Sequence, residues 1–462
     1  MMTMLTRRGT TAREAALDML LRVEREGAYS NIELNRTLRS AGLSRTDAGL
    51  ATELVYGTIQ RRLTLDYWLA RFVARGLDKL QPWVLSLLRM SLYQLVYLDR
   101  VPPHAAVGEA VKIAKKRGHP GVVSLVNGVL RSLAGCRDEL TLPDDPDPAR
   151  RLSLKHSFPE WMAARWIESY GEETADKIMA ALNERPKTSI RVNRLRGGRR
   201  SVLERLKAEG YDAKLSLITQ AGIVIRRGGN LADTDGYRDG EWTVQDEAAM
   251  LVAEACDPEP GMRVLDCCAA PGGKSTHLAE LMGDVGVVLA NDIHPHKERL
   301  IVEQAQRLGL TSVRTSVCDA AELPRRVGAE SMDIVLLDAP CSGFGVIRRK
   351  PEIRWTKKPE DIDEIAAVQH RLLAAASALV KPGGLLVYST CTFEPRENEE
   401  QIAKFLASHS EFAPDCDWPQ SILDGFLAAG IPEPSPETGS VTLLPHMAGT
   451  DGFFIARLRK RW

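Results

Sequence analysis

Up to about residue 140 the apolar positions recur at helical spacing, as in Val84, Leu87, Leu88, Leu92, Leu95 and Val96, with Pro102-Pro103 and Gly118 as breaks. This predicts an all-helical module over 1–140. Thr141 to Pro148 then packs three prolines and three aspartates into eight residues, a composition that opposes helix and core burial and predicts a linker over 141–151. From 152 to 240 the pattern is mixed, with helical spacing around Trp161–Tyr170 and Ser201–Glu209 and short alternating runs at Ser189–Leu195 and Ile223–Arg226. A small α+β subdomain is expected there. After Glu241 apolar runs at Arg263–Asp266, Val285–Asp292, Val313–Asp319, Asp333–Asp338 and Leu385–Cys391 alternate with helical segments. Such alternation builds a parallel α/β sheet of Rossmann type, with ligands at the carboxyl ends of the strands. Val441–Leu444 and Phe453–Leu458 are expected as closing strands, the last pair antiparallel.

Composition narrows the class. With 462 residues, 44% hydrophobic and 26% charged, the chain is expected to fold as several globular domains. No apolar stretch reaches the roughly 18 residues of a membrane helix, and no hydrophobic signal core follows Met1–Arg13, so a cytoplasmic location is expected. The eight cysteines lack Cys-x-x-Cys spacing, which points away from zinc and disulfides. His294 and His296 read as surface residues rather than metal ligands, and Trp161 and Trp166 as packing anchors. The 61 basic and 61 acidic residues cancel, so nucleic-acid binding has to come from a local patch. Lys187 to Lys207 is one, with eight basic residues against Glu204 alone.

The first strand of the regular part runs into Asp266-Cys267-Cys268-Ala269-Ala270-Pro271-Gly272-Gly273-Lys274, a glycine-bearing turn before a helix. The next strands end in Asn291-Asp292, Asp319 and Asp338. A carboxylate at the second strand end suits a ribose, and acids closing successive strands suit a nucleoside cofactor with a cationic centre, such as S-adenosylmethionine. A phosphate-binding NTPase is the rival, on Gly273-Lys274-Ser275 and the strand before Asp338; Cys268 stands where its pattern needs glycine, and Pro271 removes a backbone donor.

Two cysteines close what read as adjacent strands: Cys341 in Asp338-Ala339-Pro340-Cys341-Ser342-Gly343, and Cys391 in Tyr388-Ser389-Thr390-Cys391. A pyrimidine carbon is a poor nucleophile. A thiolate adding to carbon 6 of cytosine activates carbon 5, and a second group must then remove the carbon 5 proton so that the thiolate can leave. A buried free cysteine is more often a small hydrophobe, but both of these sit at the ligand-bearing edge. Asp338 is expected to assist by donating a hydrogen bond to the ring, should burial raise its pKa.

On Asp266–Lys274, Asn291-Asp292, Asp338–Trp355, Tyr388–Asn398, Gln245–Ala249 and Asp451–Phe454, the chain resembles the NOP/Sun family of RNA 5-methylcytosine methyltransferases, in its bacterial RsmB branch. The resemblance implies Cys391 as nucleophile and Cys341 as the group for release. It implies Cys268, Ala269, Ala270, Pro271, Gly272, Gly273, Lys274, Asp292, Asp319 and Asp338 as the S-adenosylmethionine site, with Lys274 positioning the base or Asp338. It further implies a NusB-like first third, an RRM-like subdomain and 16S ribosomal RNA as partner, with the target base unstacked for reaction. Ser189–Leu195 lacks the aromatics on which bases stack, so Arg191, Arg194 and Arg196 are expected to contact phosphates, as are Arg348, Arg349 and Lys350 past the Cys341 turn. A non-catalytic RNA-binding assembly factor is the alternative.

Overall fold

Capping residues and proline positions delimit the helices that open the chain. In a computed structural model, which describes residues 11–26, 37, 42–227 and 230–462, the chain divides into two units: Met1–Asn183 with Arg349–Lys357, and Glu184–Arg348 with Lys358–Trp462. Residues 1–10, 27–36 and 38–41, over which the helical expectation also ran, lie outside the described residues.

The first unit contains α1 (Ala12–Glu26), α2 (Arg45–Gln60), α3 (Arg62–Ala70), α4 (Pro82–Tyr97), α5 (Pro103–Arg117), α6 (Pro120–Gly135), α7 (Pro148–His156), α8 (Glu160–Tyr170) and α9 (Glu172–Leu182). Proline occupies the first turn of α4, α5, α6 and α7, where its missing N–H has no intrahelical partner to lose. The expected stripe on α4 is the core face: Val84, Leu87, Leu88, Leu92 and Leu95 are buried. The expected linker is shorter than its composition suggested. Asp147 accepts from the N–H groups of Ala149 and Arg150 and caps α7, so the helix begins at Pro148.

Helices α7, α8 and α9 fall in the first unit, and so does Arg349–Lys357. There Arg354 is fully buried, donates to Gln60 O (3.0 Å) and Asn183 Oδ1 (2.9 Å), and lies 3.9 Å over the Phe158 ring, while Trp355 Nε1 donates to Ile59 O at 2.8 Å.

The second unit holds two sheets. The smaller has β1 (Thr188–Val192), β2 (Asp212–Leu215), β3 (Gly222–Arg227) and β4 (Trp242–Val244) in the order β2-β3-β1-β4, with α10 (Arg199–Ala208) against it. After α11 (Glu247–Cys256) comes the larger sheet. Its parallel strands β5 (Arg263–Asp266), β6 (Val287–Asp292), β7 (Val313–Val317), β8 (Met332–Asp338) and β9 (Val380–Thr390) are joined by helices including α12 (Gly273–Leu281), α13 (Pro295–Leu308) and α14 (Pro359–Ser377). The sheet order is β10-β12-β9-β8-β5-β6-β7, where β10 (Phe412–Pro414) and β12 (Phe453–Lys460) are antiparallel additions and β11 (Ser440–Leu443) pairs with β12. No described helix is long and apolar enough to cross a membrane.

Candidate active site

Parallel pairing of β8 with β9 puts Asp338 opposite Ser389, and the two strands therefore release their turns side by side. The thiols at those turns meet: Cys341 Sγ lies 3.3 Å from Cys391 Sγ. Glycine makes the approach possible. Gly345 N–H donates to Cys391 O at 3.0 Å, and a Cβ on Gly345 would stand 2.8 Å from Cys391 O and 1.9 Å from Gly452 O, so a side chain there would press this turn away from the Cys391 turn and from the loop before β12. Beneath the turns lies a polar frame. Glu397, fully buried, accepts from Ser342 N–H and Gln369 Nε2 (both 2.9 Å), and Gln369 also donates to Pro340 O at 2.9 Å. Ser342 Oγ donates to Thr392 Oγ1 at 2.9 Å and Thr390 Oγ1 to Asn398 Oδ1 at 2.6 Å, so both thiols stand on hydrogen-bonded scaffolds. Sequence reasoning assigned Glu397 and Gln369 no role; a glutamate inside an otherwise cysteine-centred motif was the available signal.

The charges beside the thiols are arranged as a pair. Lys274 Nζ donates to Asp338 Oδ2 at 2.7 Å, and Ser389 Oγ donates to Asp338 Oδ1 at 2.7 Å. Burial works against the Lys274 ammonium, but the Asp338 charge and hydrogen bond, with Cys391 and Asp266 behind them, outweigh it and raise its pKa. The Asp338 side chain is 26% exposed, and each of its oxygens accepts one of these two hydrogen bonds. Cys341 is pushed well above the ordinary thiol range by its hydrogen bond to Cys391, then by burial and the Cys391 charge.

Next to this lies the loop between β5 and α12. Asp266 is wholly buried, accepts from Ser275 Oγ at 2.6 Å, and has its carboxyl pushed up to about 7, chiefly by burial. Asp292 accepts from Ala270 N–H (3.3 Å) and His294 N–H (3.0 Å). Asn291 Nδ2 donates to Cys267 O and Cys318 O, both at 3.0 Å, which ties the ends of β5, β6 and β7 together. Asp319 accepts from Ala321 N–H at 3.0 Å, and the half-buried Cys268 thiol is raised in pKa by burial and the surrounding aspartates. Gly272 turns with φ +102°, where a Cβ would meet Ile301 Cα at 3.1 Å. These acids suit a ribose and a sulfonium. They would repel a triphosphate, and Lys274, bound to Asp338, has no phosphate role to fill.

Asp266 also carries a pH effect. Its folded pKa of about 7 stands above the ordinary 3.8, so the folded chain keeps a proton that the unfolded chain releases. Stability on this account falls as pH rises between those values, by on the order of 4 kcal/mol in all. Asp266→Asn is expected to flatten that slope in denaturant titrations at successive pH values.

Comparison with known proteins agrees with this geometry. Residues 253–459 match the family described as 16S rRNA methyltransferase RsmB/F, residues 10–135 the NusB family, and residues 158–232 the ferredoxin-like domain of RsmF/B-like methyltransferases. The probable ribosomal RNA small subunit methyltransferase B of Bacillus subtilis (strain 168) is 44% identical, over 98% of this chain and 99% of its own. The chain belongs to the RsmB/F methyltransferase family. The ribosomal RNA small subunit methyltransferase B of Pseudomonas syringae pv. tomato is 36% identical over 90% of this chain and 89% of its own. Among solved structures, that of PH0851 superposes with a TM-score of 0.80 at 27% identity, covering 99% of this chain and all of the other. A methyltransferase homologue from Pyrococcus horikoshii gives 0.57 at 28% identity, over 68% of this chain and 99% of its own.

The RsmB/F chain is accordingly an S-adenosylmethionine-dependent RNA methyltransferase with a NusB domain, a ferredoxin-like subdomain and a Rossmann-like catalytic domain. Its expected phosphate contacts divide. Arg194 and Arg196 are exposed. Arg191 is fully buried: it donates to both oxygens of Glu280 (2.8 and 3.0 Å), to Gly273 O (2.6 Å), to Thr276 Oγ1 (3.0 Å) and to Gln245 Oε1, so the expected phosphate contact is corrected to a clamp on α12. Arg348 is also corrected. It is buried and donates to Gly449 O and Pro445 O, both at 3.0 Å, holding the loop before β12. Arg349 and Lys350 are half-buried in the segment that belongs to the first unit. His294 and His296 are exposed, and no metal-ligating cluster occurs among the described residues.

Proposed function

We propose that this RsmB/F enzyme methylates carbon 5 of a cytosine in 16S ribosomal RNA through a covalent bond between Cys391 and carbon 6. The observation that carries the reading is the pair of thiols 3.3 Å apart, with Lys274 and Asp338 beside them. Of the two sulfurs, Cys391 in Thr390-Cys391 is the proposed nucleophile, the role that the family resemblance implies for it. Its electron pair forms the bond to carbon 6, and the ring's double-bond electrons move to carbon 5, with the Lys274 ammonium as the proton donor of the site and Asp338 as its holder. S-adenosylmethionine, when bound among Cys268–Lys274, Asp292 and Asp319, supplies an electrophilic methyl group. Attachment to the ring takes from Cys341 the Cys391 hydrogen bond and charge that raise its pKa, so its proton passes to solvent. The resulting thiolate takes the carbon 5 proton, the electron pair of the broken C–H bond re-forms the double bond between carbons 5 and 6, and Cys391 leaves as a thiolate.

Labelled methyl transfer from S-adenosylmethionine into 16S RNA, with bisulfite mapping of RNA from cells lacking the protein, tests the reading. One cytosine is expected to lose its protection; methylation on another base or atom would overturn the assignment.

Arg194 and Arg196 are the proposed phosphate contacts on the ferredoxin-like subdomain, and Arg349 and Lys350 those past the Cys341 turn. Neutralising Arg194 and Arg196 together is expected to flatten the slope of log affinity against log salt by about 1.5, two phosphate contacts' worth. An unchanged slope would remove both from the RNA surface.

A further inference from the structure

Residues 339–343 carry Cys341 from the end of β8 to the short turn Phe344–Val346 and belong to no helix or strand. Their main-chain polar groups need partners from elsewhere. Gln369, on α14, gives Nε2 to Pro340 O and to Glu397 Oε2, both at 2.9 Å, and Glu397 Oε2 also accepts the Ser342 N–H at 2.9 Å. Pro340 O and Ser342 N–H belong to the two peptide groups that flank the Cys341 Cα, so the Gln369–Glu397 pair brackets that residue. The amide has one orientation, since both groups facing its nitrogen are acceptors. Gln369 and Glu397 are themselves fully buried, and Tyr388 OH on β9 donates to Glu397 O at 2.7 Å, so the bracket is anchored to the sheet.

The Cys391 turn is held by a different set of contacts. Asn398 Nδ2 donates to Thr392 O at 3.1 Å, Asn398 Oδ1 accepts from Thr390 Oγ1 at 2.6 Å, and Cys391 O accepts the Gly345 N–H at 3.0 Å. None of these uses the Glu397 carboxyl. The two sulfurs therefore have separate supports, although they lie 3.3 Å apart. The geometry points to Glu397, with Gln369, as the positioning residue of the release step: it sets Cys341 for the carbon 5 proton and leaves attack by Cys391 to the other contacts. In that step the Cys341 thiolate forms an S–H bond, the electron pair of the C–H bond returns to the ring, and Cys391 departs with the electron pair of its bond to carbon 6. The inference rests on the covalent reading of the site and deepens it by giving the second sulfur a support of its own.

Full-length variants incubated with 16S RNA and labelled S-adenosylmethionine test this, with the covalent protein–RNA complex read on a denaturing gel and methyl groups counted in the released RNA. Glu397→Ala is expected to slow release about 100-fold, the cost of a misplaced reacting group, while the complex accumulates with its methyl group attached. Glu397→Gln keeps an oxygen for both donors and is expected to restore about tenfold of that loss. Gln369→Met, which frees the same turn from another helix at similar volume, is expected to accumulate the complex as well. Denaturant titration checks that each protein is folded, and Gln369→Met carries the test where Glu397→Ala is not. Complex formation that slows in step with turnover, or Glu397→Gln no better than Glu397→Ala, marks a merely structural contact and overturns the proposal. Cys341→Ala is run alongside. If it accumulates the complex and the Glu397 and Gln369 variants do not, only the positioning role falls; if it accumulates none, the covalent reading falls and this role with it.

Discussion

Cys391→Ala is expected to lower methyl transfer by at least about 10⁴-fold, the scale on which an enzyme loses its nucleophile, and to leave no covalent RNA complex. Cys341→Ala is expected to stop turnover differently: attack and methylation proceed, but the carbon 5 proton stays and the RNA remains attached. A slow-migrating protein–RNA band, stable to denaturant and present only in the Cys341 variant, checks this. The asymmetry follows from the roles proposed for the two sulfurs, which lie 3.3 Å apart: without Cys391 no bond to carbon 6 forms, whereas without Cys341 that bond forms and no neighbouring sulfur takes the carbon 5 proton. The opposite pattern, trapping by Cys391→Ala, would exchange the two roles. The polar frame predicts no such reversal, because the Gly345 and Glu397 contacts hold both turns in place whichever sulfur is removed.

The thiol pair was legible because both cysteines end apolar runs, and the strand pairing that joins β8 to β9 follows from the alternation of strand and helix. The acids at the ends of β5, β6 and β8 were legible for the same reason. What supports them was not. Glu397, Gln369 and Ser342 come from three separate elements, and no local pattern reports that they meet. Nor does any local pattern show Arg349–Lys357 leaving its neighbours, since the partners of Arg354 and Trp355 lie 171 to 296 residues away in sequence. The Lys187–Lys207 run misled because charge along a strand says nothing of what covers its faces. Ile190 and Val192 occupy one face of β1; Arg191 faces the other way, and α12 lies there with Glu280. The signal that could have found it was Glu280 itself, a glutamate inside the helical segment that begins at Gly273, where a buried acid demands a cation.

Arg191→Ala is therefore expected to act on stability rather than on RNA affinity. It leaves Glu280 buried without its cation and strips Gly273 O and Thr276 of a donor, a loss on the order of 3–5 kcal/mol. The penalty has a pH signature. Burial already raises the Glu280 carboxyl despite Arg191, and without the guanidinium the folded state binds that proton still more readily. A carboxyl raised in the folded state costs stability as pH rises through the interval between its unfolded and folded values, so the variant is expected to lose least at low pH and most above neutrality. Replacing both partners, Arg191→Met with Glu280→Met, is expected to recover part of the loss, since two apolar side chains leave no charge to desolvate. Denaturant titrations at several pH values check the stability terms, and RNA binding across a salt series checks the rest: the slope should stay that of the parent protein. A stable Arg191→Ala protein with a shallower salt slope would return this side chain to the RNA surface and would leave the coupling between β1 and α12 without its central contact.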